Sequence, residues 1–238
     1  MSFLNYFFGE AGYTDLASEL IKKPRAHSGG VSVDIERKPD YSVQWTRITN
    51  EAGAEKLNKP IGTYVNIDGE DIPPKEIFAA LREIIENDKK ILVIGLGNEY
   101  FIADSLGIKV CDFVRTGARI KSFTPSVYAV TGIESAAIIK SVVREVKPTC
   151  VLIVDSLVCR DETHIGKSFQ IADSGISPAS ALRQHTHELS KRTLGVPVVA
   201  IGVPLCMRLS NGLLVLPKDI DAVVVNSANL IAKAINLI

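Results

Sequence analysis

A three-layer α/β/α domain built on a mainly parallel sheet is the fold class this sequence predicts, and two observations carry the prediction. Three short runs are apolar throughout rather than alternating: Ile91 to Gly95, Cys150 to Val154 and Val196 to Val203. That is the pattern of parallel strands covered on both faces. Stretches of helical period lie between them, as expected because parallel neighbours need crossover connections and right-handed crossovers cover both faces of the sheet.

The remaining elements follow in chain order. Val31 to Ile35 and Val43 to Ile48 alternate with period two around Lys38-Pro39-Asp40-Tyr41, which predicts a small N-terminal β-hairpin addition. Gly62 to Ile67 extends the sheet edge or joins the hairpin in a small β-layer. Pro73 to Asn87 places Ile77, Phe78, Leu81, Ile84 and Ile85 on one stripe, with prolines where a first helical turn tolerates them. Ser122 to Val130 reads as a further strand. Ile133 to Val146 reads as a helix, with Thr131 and Glu134 at capping-box spacing. Ser177-Pro178 opens another helix that closes near Gly195, and Lys218 to Ile238 supplies the last, with Ile220, Val223, Val224, Ile231 and Ile235 on its buried side.

Composition narrows the function. The 238 residues are 46% hydrophobic and 23% charged, which excludes a disordered, fibrous or repeat protein, and no apolar run reaches the length of a membrane span. Lys and Arg total 27 against 27 Asp and Glu, so no net field favours nucleic acid or an anionic membrane. Cys111, Cys150, Cys159 and Cys206 form no CxxC pair and read as free, mostly buried thiols of a reducing compartment. The apolar start, Met1 to Phe8, lacks the basic region and cleavage site of a signal peptide.

In open α/β sheets, ligands and catalytic groups collect beyond the carboxyl ends of the strands. After the first apolar strand comes a glycine-rich loop, Gly95-Leu96-Gly97-Asn98, leading to Asp104. After the second comes Asp155. Asp104 is either a helix N-cap or a functional carboxylate. A carboxylate ending a buried strand is costly unless tied to loop backbone or functional, and Asp155 stands in that position. The loop lacks the third glycine of a dinucleotide fingerprint, so no nucleotide cofactor is expected. His185 and His187 are two apart and cannot share a metal as an i, i+4 pair would; with His27 and His164 they read as surface histidines. No metal or other cofactor is expected. No Gly-x-Ser-x-Gly elbow is present.

An ordered set of motifs resembles the germination protease family of endospore-forming bacteria, peptidases that degrade small acid-soluble spore proteins. Tyr13-Thr14-Asp15-Leu16-Ala17-Ser18-Glu19 is similar to the family's R-T-D-L-A-x-E, with Tyr13 in place of arginine. Gly53-Ala54 to Tyr64, Leu92 to Asn98, Ala103 to Gly107, Val130 to Ser135, Val154 to Leu157, Ile171 to Ile176 and Leu194 to Pro204 follow in the family's order. The resemblance implies a phosphorylase/hydrolase-like fold and a cytoplasmic endopeptidase of the forespore or spore core. It further implies a zymogen that cuts its own Asp15-Leu16 bond, with residues 1–15 as propeptide and 16–238 as the peptidase domain. The family's two essential aspartates fall on Asp104 and Asp155, the loop Gly95, Gly97 and Asn98 lines the site, and the family suggests a homotetramer.

A close carboxylate pair cannot easily carry two negative charges, so one member can activate water while the other donates a proton. More distantly the chain resembles hydrogenase maturation peptidases. Ala103 stands where their second acid would, and no histidine follows Pro204, which disfavours nickel recognition. Pro204 leads to the last helix through a shorter segment than the family's. That departure motivates a second reading, a non-catalytic sporulation protein that binds peptides. A third is a metal-dependent hydrolase using Asp104, Asp155 and His164.

Overall fold

The computed structural model describes residues 14–21, 29–85, 90–176, 188–209, 211 and 213–238. The hairpin forms as expected from β1 (Val31–Arg37) and β2 (Tyr41–Ile48), and after helix α1 (Glu51–Leu57) strand β3 (Gly62–Gly69) pairs with β2, extending the sheet. Helix α2 (Pro74–Ile84) leads to β4 (Ile91–Gly95), whose five residues are all buried. A 3₁₀ turn (Ile102–Asp104), helix α3 (Leu106–Phe113), strand β5 (Ile120–Phe123), one turn of helix α4 (Tyr128–Thr131), helix α5 (Ser135–Val146) and strand β6 (Cys150–Cys159) follow. The chain ends with β7 (Ser168–Ala172), α6 (Lys191–Leu194), β8 (Val198–Arg208), β9 (Leu214–Val215) and α7 (Ile220–Ile235).

The nine strands among the described residues form one sheet in the order β1-β2-β3-β7-β8-β6-β4-β5, with β9 on β8. Strands β8, β6, β4 and β5 are parallel neighbours, and the antiparallel strands continue the sheet beyond β8. Side-chain alternation sorts the core. Ile91, Val93, Leu152 and Val154 pack with α2, α3 and α7 on one face. Leu92, Ile94, Val151 and Ile153 meet Ile139 and Val143 of α5 on the other. The chain leaves β4 towards β5 on one side and returns to β6 on the other, so a topological switch point opens between the carboxyl ends of β4 and β6.

Several expectations need correction. The strand foreseen over Ser122 to Val130 stops at Phe123, because Pro125 cannot donate to a ladder and Ser126 takes a left-handed φ of 63°. Thr131 ends α4 and accepts the Ile133 N–H at 3.1 Å, and Gly132 turns left-handed, so the Thr131/Glu134 capping box does not form. Strand β6 continues past Val154 to Cys159 because β8 runs on beside it, pairing Asp155 with Gly202. Asp155 therefore lies within a strand instead of ending one. Strand β7 was not foreseen. The helix expected from Ser177 falls on residues outside those described, apart from its close at Gly195, which caps α6 with φ 76°. His27, His185 and His187 also lie outside them. No helix among the described residues is long and apolar enough to cross a membrane, and of the four cysteines Cys111 is partly exposed and the others are buried.

Candidate active site

The loop after β4 folds back on itself to place Asp104. Gly97 takes φ 128°, and a Cβ there would lie 1.8 Å from the Asp104 carbonyl oxygen. Only glycine allows that approach, which is closed by the Asn98 N–H donating to the same carbonyl at 2.8 Å. Asn98 also accepts the Tyr100 N–H on its side chain at 3.0 Å. A Cβ at Gly107 would come within 2.5 Å of the Val154 carbonyl oxygen, so the start of α3 lies directly against β6. The N-cap position of α3 falls on Ser105, leaving Asp104 free of a capping role.

Asp104 and Asp155 come together at the switch point. Burial pushes the Asp104 carboxyl up to about 6, with the Asn98 N–H acting in the opposite direction. Asp155 is held well above the usual carboxylate range, first by burial, then by the negative charges of Asp104 and Asp15. The Ser156 N–H donates to Asp155 Oδ1 at 2.9 Å and offsets part of this. The carboxyl of Asp155 is enclosed although the residue keeps some exposure. Both shifts run upward and the larger is on Asp155, so of the two carboxyls Asp155 is the more readily kept protonated.

The Asp15-Leu16 segment docks beside this pair. Strand β4 ends opposite Val154, which frees the next stretch of that edge of β6. Asp15 takes the edge: its N–H donates to the Val158 carbonyl at 2.9 Å, and its Oδ2 accepts the Val158 N–H at 2.8 Å. Leu16 is fully buried against Leu157 and Cys159, with Ile165 and Met207 packed around them. Further along, the Glu19 carboxylate accepts the Arg160 and Asp161 N–H groups.

Two residues that sequence reasoning missed complete the arrangement. Asn66, Gln170, Gly202 and Asp155 stand opposite one another across β3, β7, β8 and β6. Gln170 Nε2 donates to the Asp15 carbonyl at 2.9 Å, and its Oε1 accepts the Ala17 N–H at 2.6 Å. Lys59 Nζ donates to the same Asp15 carbonyl at 2.8 Å. Burial pulls the Lys59 pKa down, opposed by the Asp15 charge. The available signals were a polar residue inside the apolar Phe169-Gln170-Ile171 run and a lysine directly after a helix end.

His164 does not join the aspartates, nor does it sit free at the surface. Its Nδ1 lies 3.3 Å from Asp68 and its Nε2 3.8 Å from Glu19. Among the described residues, no three His, Cys, Asp or Glu side chains are grouped to hold a metal ion.

An α/β domain with a buried carboxylate pair at its switch point is the class of protein these features define. A profile of the germination protease family matches residues 14–211. The germination protease of Clostridium acetobutylicum is 33% identical, the match covering 80% of this chain and 69% of that relative. Those of Priestia megaterium and Bacillus licheniformis are 32% and 33% identical, each over 80% of this chain and 60% of the relative. The chain belongs to the germination protease family, a family of spore proteases.

Proposed function

We propose that this chain is an aspartate-dependent endopeptidase that first cuts its own Asp15-Leu16 bond and then cleaves small acid-soluble spore proteins in the forespore or spore core. The observation that carries the proposal is the docking of Asp15-Leu16 on β6, three residues beyond Asp155 and within reach of its charge. Residues 1–15 are then the propeptide and 16–238 the peptidase domain, assembled as the homotetramer the family resemblance implies.

In this reading the pair holds one proton at neutral pH, mostly on Asp155, and the chemistry follows from it. Asp104, the more acidic member, takes a proton from water as the water oxygen bonds to the Asp15 carbonyl carbon. The tetrahedral adduct collapses with cleavage of the carbon–nitrogen bond, and Asp155 supplies the proton that the departing Leu16 nitrogen needs. The products are an Asp15 carboxyl and a Leu16 amine, and proton exchange restores the pair. Gly95, Gly97 and Asn98 act by holding Asp104 in place.

The test is Asp104→Asn and Asp155→Asn in the full chain. Self-cleavage is read by intact mass and new N-termini, and cleavage of an acid-soluble spore protein by product mass. Both variants should lose at least about 10²-fold in rate. Undiminished cleavage by either would sink the carboxylate mechanism.

A further inference from the structure

We propose that Lys59 and Gln170 are catalytic residues that polarise the Asp15 carbonyl and hold the oxyanion formed during cleavage; this rests on Asp15-Leu16 being the bond that is cut. The Asp15 carbonyl oxygen receives two side-chain donors from separate elements, Lys59 Nζ at 2.8 Å and Gln170 Nε2 at 2.9 Å. Both distances are to the ground-state carbonyl oxygen and set two donors on the side where the oxyanion develops.

Each donor is fixed by its surroundings. Helix α1 ends on Asn58 in the left-handed region, φ 48°, and the Lys59 N–H returns to the Ala54 carbonyl at 3.1 Å, which turns Lys59 out of the helix towards Asp15. Gln170 is orientated by the Ala17 N–H, a donor that requires Oε1 on its side and therefore presents Nε2 to Asp15. The buried Asn66 Nδ2 lies 3.5 Å from the same Oε1. Gln170 thus grips both sides of the Leu16 residue, with one contact on the Asp15-Leu16 peptide and the other on the Leu16-Ala17 peptide.

When water adds to the carbonyl carbon, the carbon–oxygen double bond becomes single and its electron pair moves to the oxygen facing Lys59 and Gln170. The interaction strengthens as that charge develops, so the donors lower the barrier beyond their effect on docking. When the carbon–nitrogen bond breaks, the pair returns to the carbonyl and Asp155 protonates the nitrogen. No co-reactant other than water is needed.

Full-length Lys59→Met and Gln170→Met test the assignment, with Lys59→Arg as the conservative control. Self-cleavage is followed by mass spectrometry. Docking of residues 14–21 is followed by hydrogen exchange in an Asp104→Asn background, where the bond stays intact. We expect Lys59→Met to slow cleavage about 10²- to 10³-fold, Lys59→Arg to recover part of the rate, and exchange protection over residues 14–21 to fall by much less than the rate in Lys59→Met. Gln170→Met should slow cleavage comparably. Cleavage by Lys59→Met within about 3-fold of wild type overturns the proposal. So does loss of protection in step with cleavage, because the lysine then only anchors the segment. If Lys59→Met does not fold, Lys59→Arg against Lys59→Gln provides the same comparison. Normal cleavage by Asp104→Asn or Asp155→Asn instead refutes the aspartate mechanism, whatever the lysine variants do.

Discussion

Gly97→Ala perturbs the candidate site without touching an ionisable group. The added Cβ would sit 1.8 Å from the Asp104 carbonyl oxygen, where real contacts do not fall below 3.0 Å, and φ 128° is a conformation that alanine rarely adopts. The turn closed by Asn98 and Asp104 must open by about 1 Å or more, and a misplacement of that size costs about 10²-fold in rate. The backbone strain adds about 1 to 3 kcal/mol, which lowers Tm by several degrees in a chain of this length. Self-cleavage measured well below the variant's Tm separates the two effects. A variant that is destabilised but cleaves at the wild-type rate would show that Asp104 does not need its observed position, and the argument for the loop would fail.

Two further outcomes follow. Burial pushes the folded Asp104 carboxyl up to about 6, from an ordinary value of about 3.9. A raised carboxyl pKa means that its contribution to stability is complete below the unfolded pKa and is lost as pH rises through the folded one. Asp104→Asn should therefore be more stable than wild type above pH 6, by up to about 3 kcal/mol, with the difference fading towards pH 4 in urea titrations. An equal gain at every pH would contradict that. Leu16→Ala empties the space between Leu157 and Cys159 and should weaken docking by about 2 kcal/mol or more, read as about 30-fold faster exchange over residues 14–21. Unchanged exchange there would mean that Leu16 does not anchor the segment.

Much of the scaffold was legible because the signals were local. The unbroken apolar runs at Ile91 and Cys150 and the stripes of α2 and α7 each follow from periodicity within a few residues. The glycine-rich loop and Asp104 were legible for a related reason: paired glycines after a buried strand restrict what the backbone can do. What escaped depends on partners distant in sequence. Asp155 looks like a strand end until β8 continues beside it. Gln170 is one polar residue in a short run until β7 lies between β3 and β8, opposite Asn66 and Gly202. Lys59 gains its place only because Asn58 turns the end of α1 towards a segment 44 residues earlier. Side-chain hydrogen bonds redirected Thr131 from the capping box, a competition that spacing alone does not reveal.

Infrared difference spectroscopy tests most directly whether Asp104 and Asp155 share one proton at neutral pH. Wild type minus Asp155→Asn should show a protonated carboxyl stretch near neutrality that shifts in deuterium oxide and is absent from the variant. Finding no protonated carboxyl in wild type, or one that persists in Asp155→Asn, would contradict the shared proton and the acid and base roles built on it.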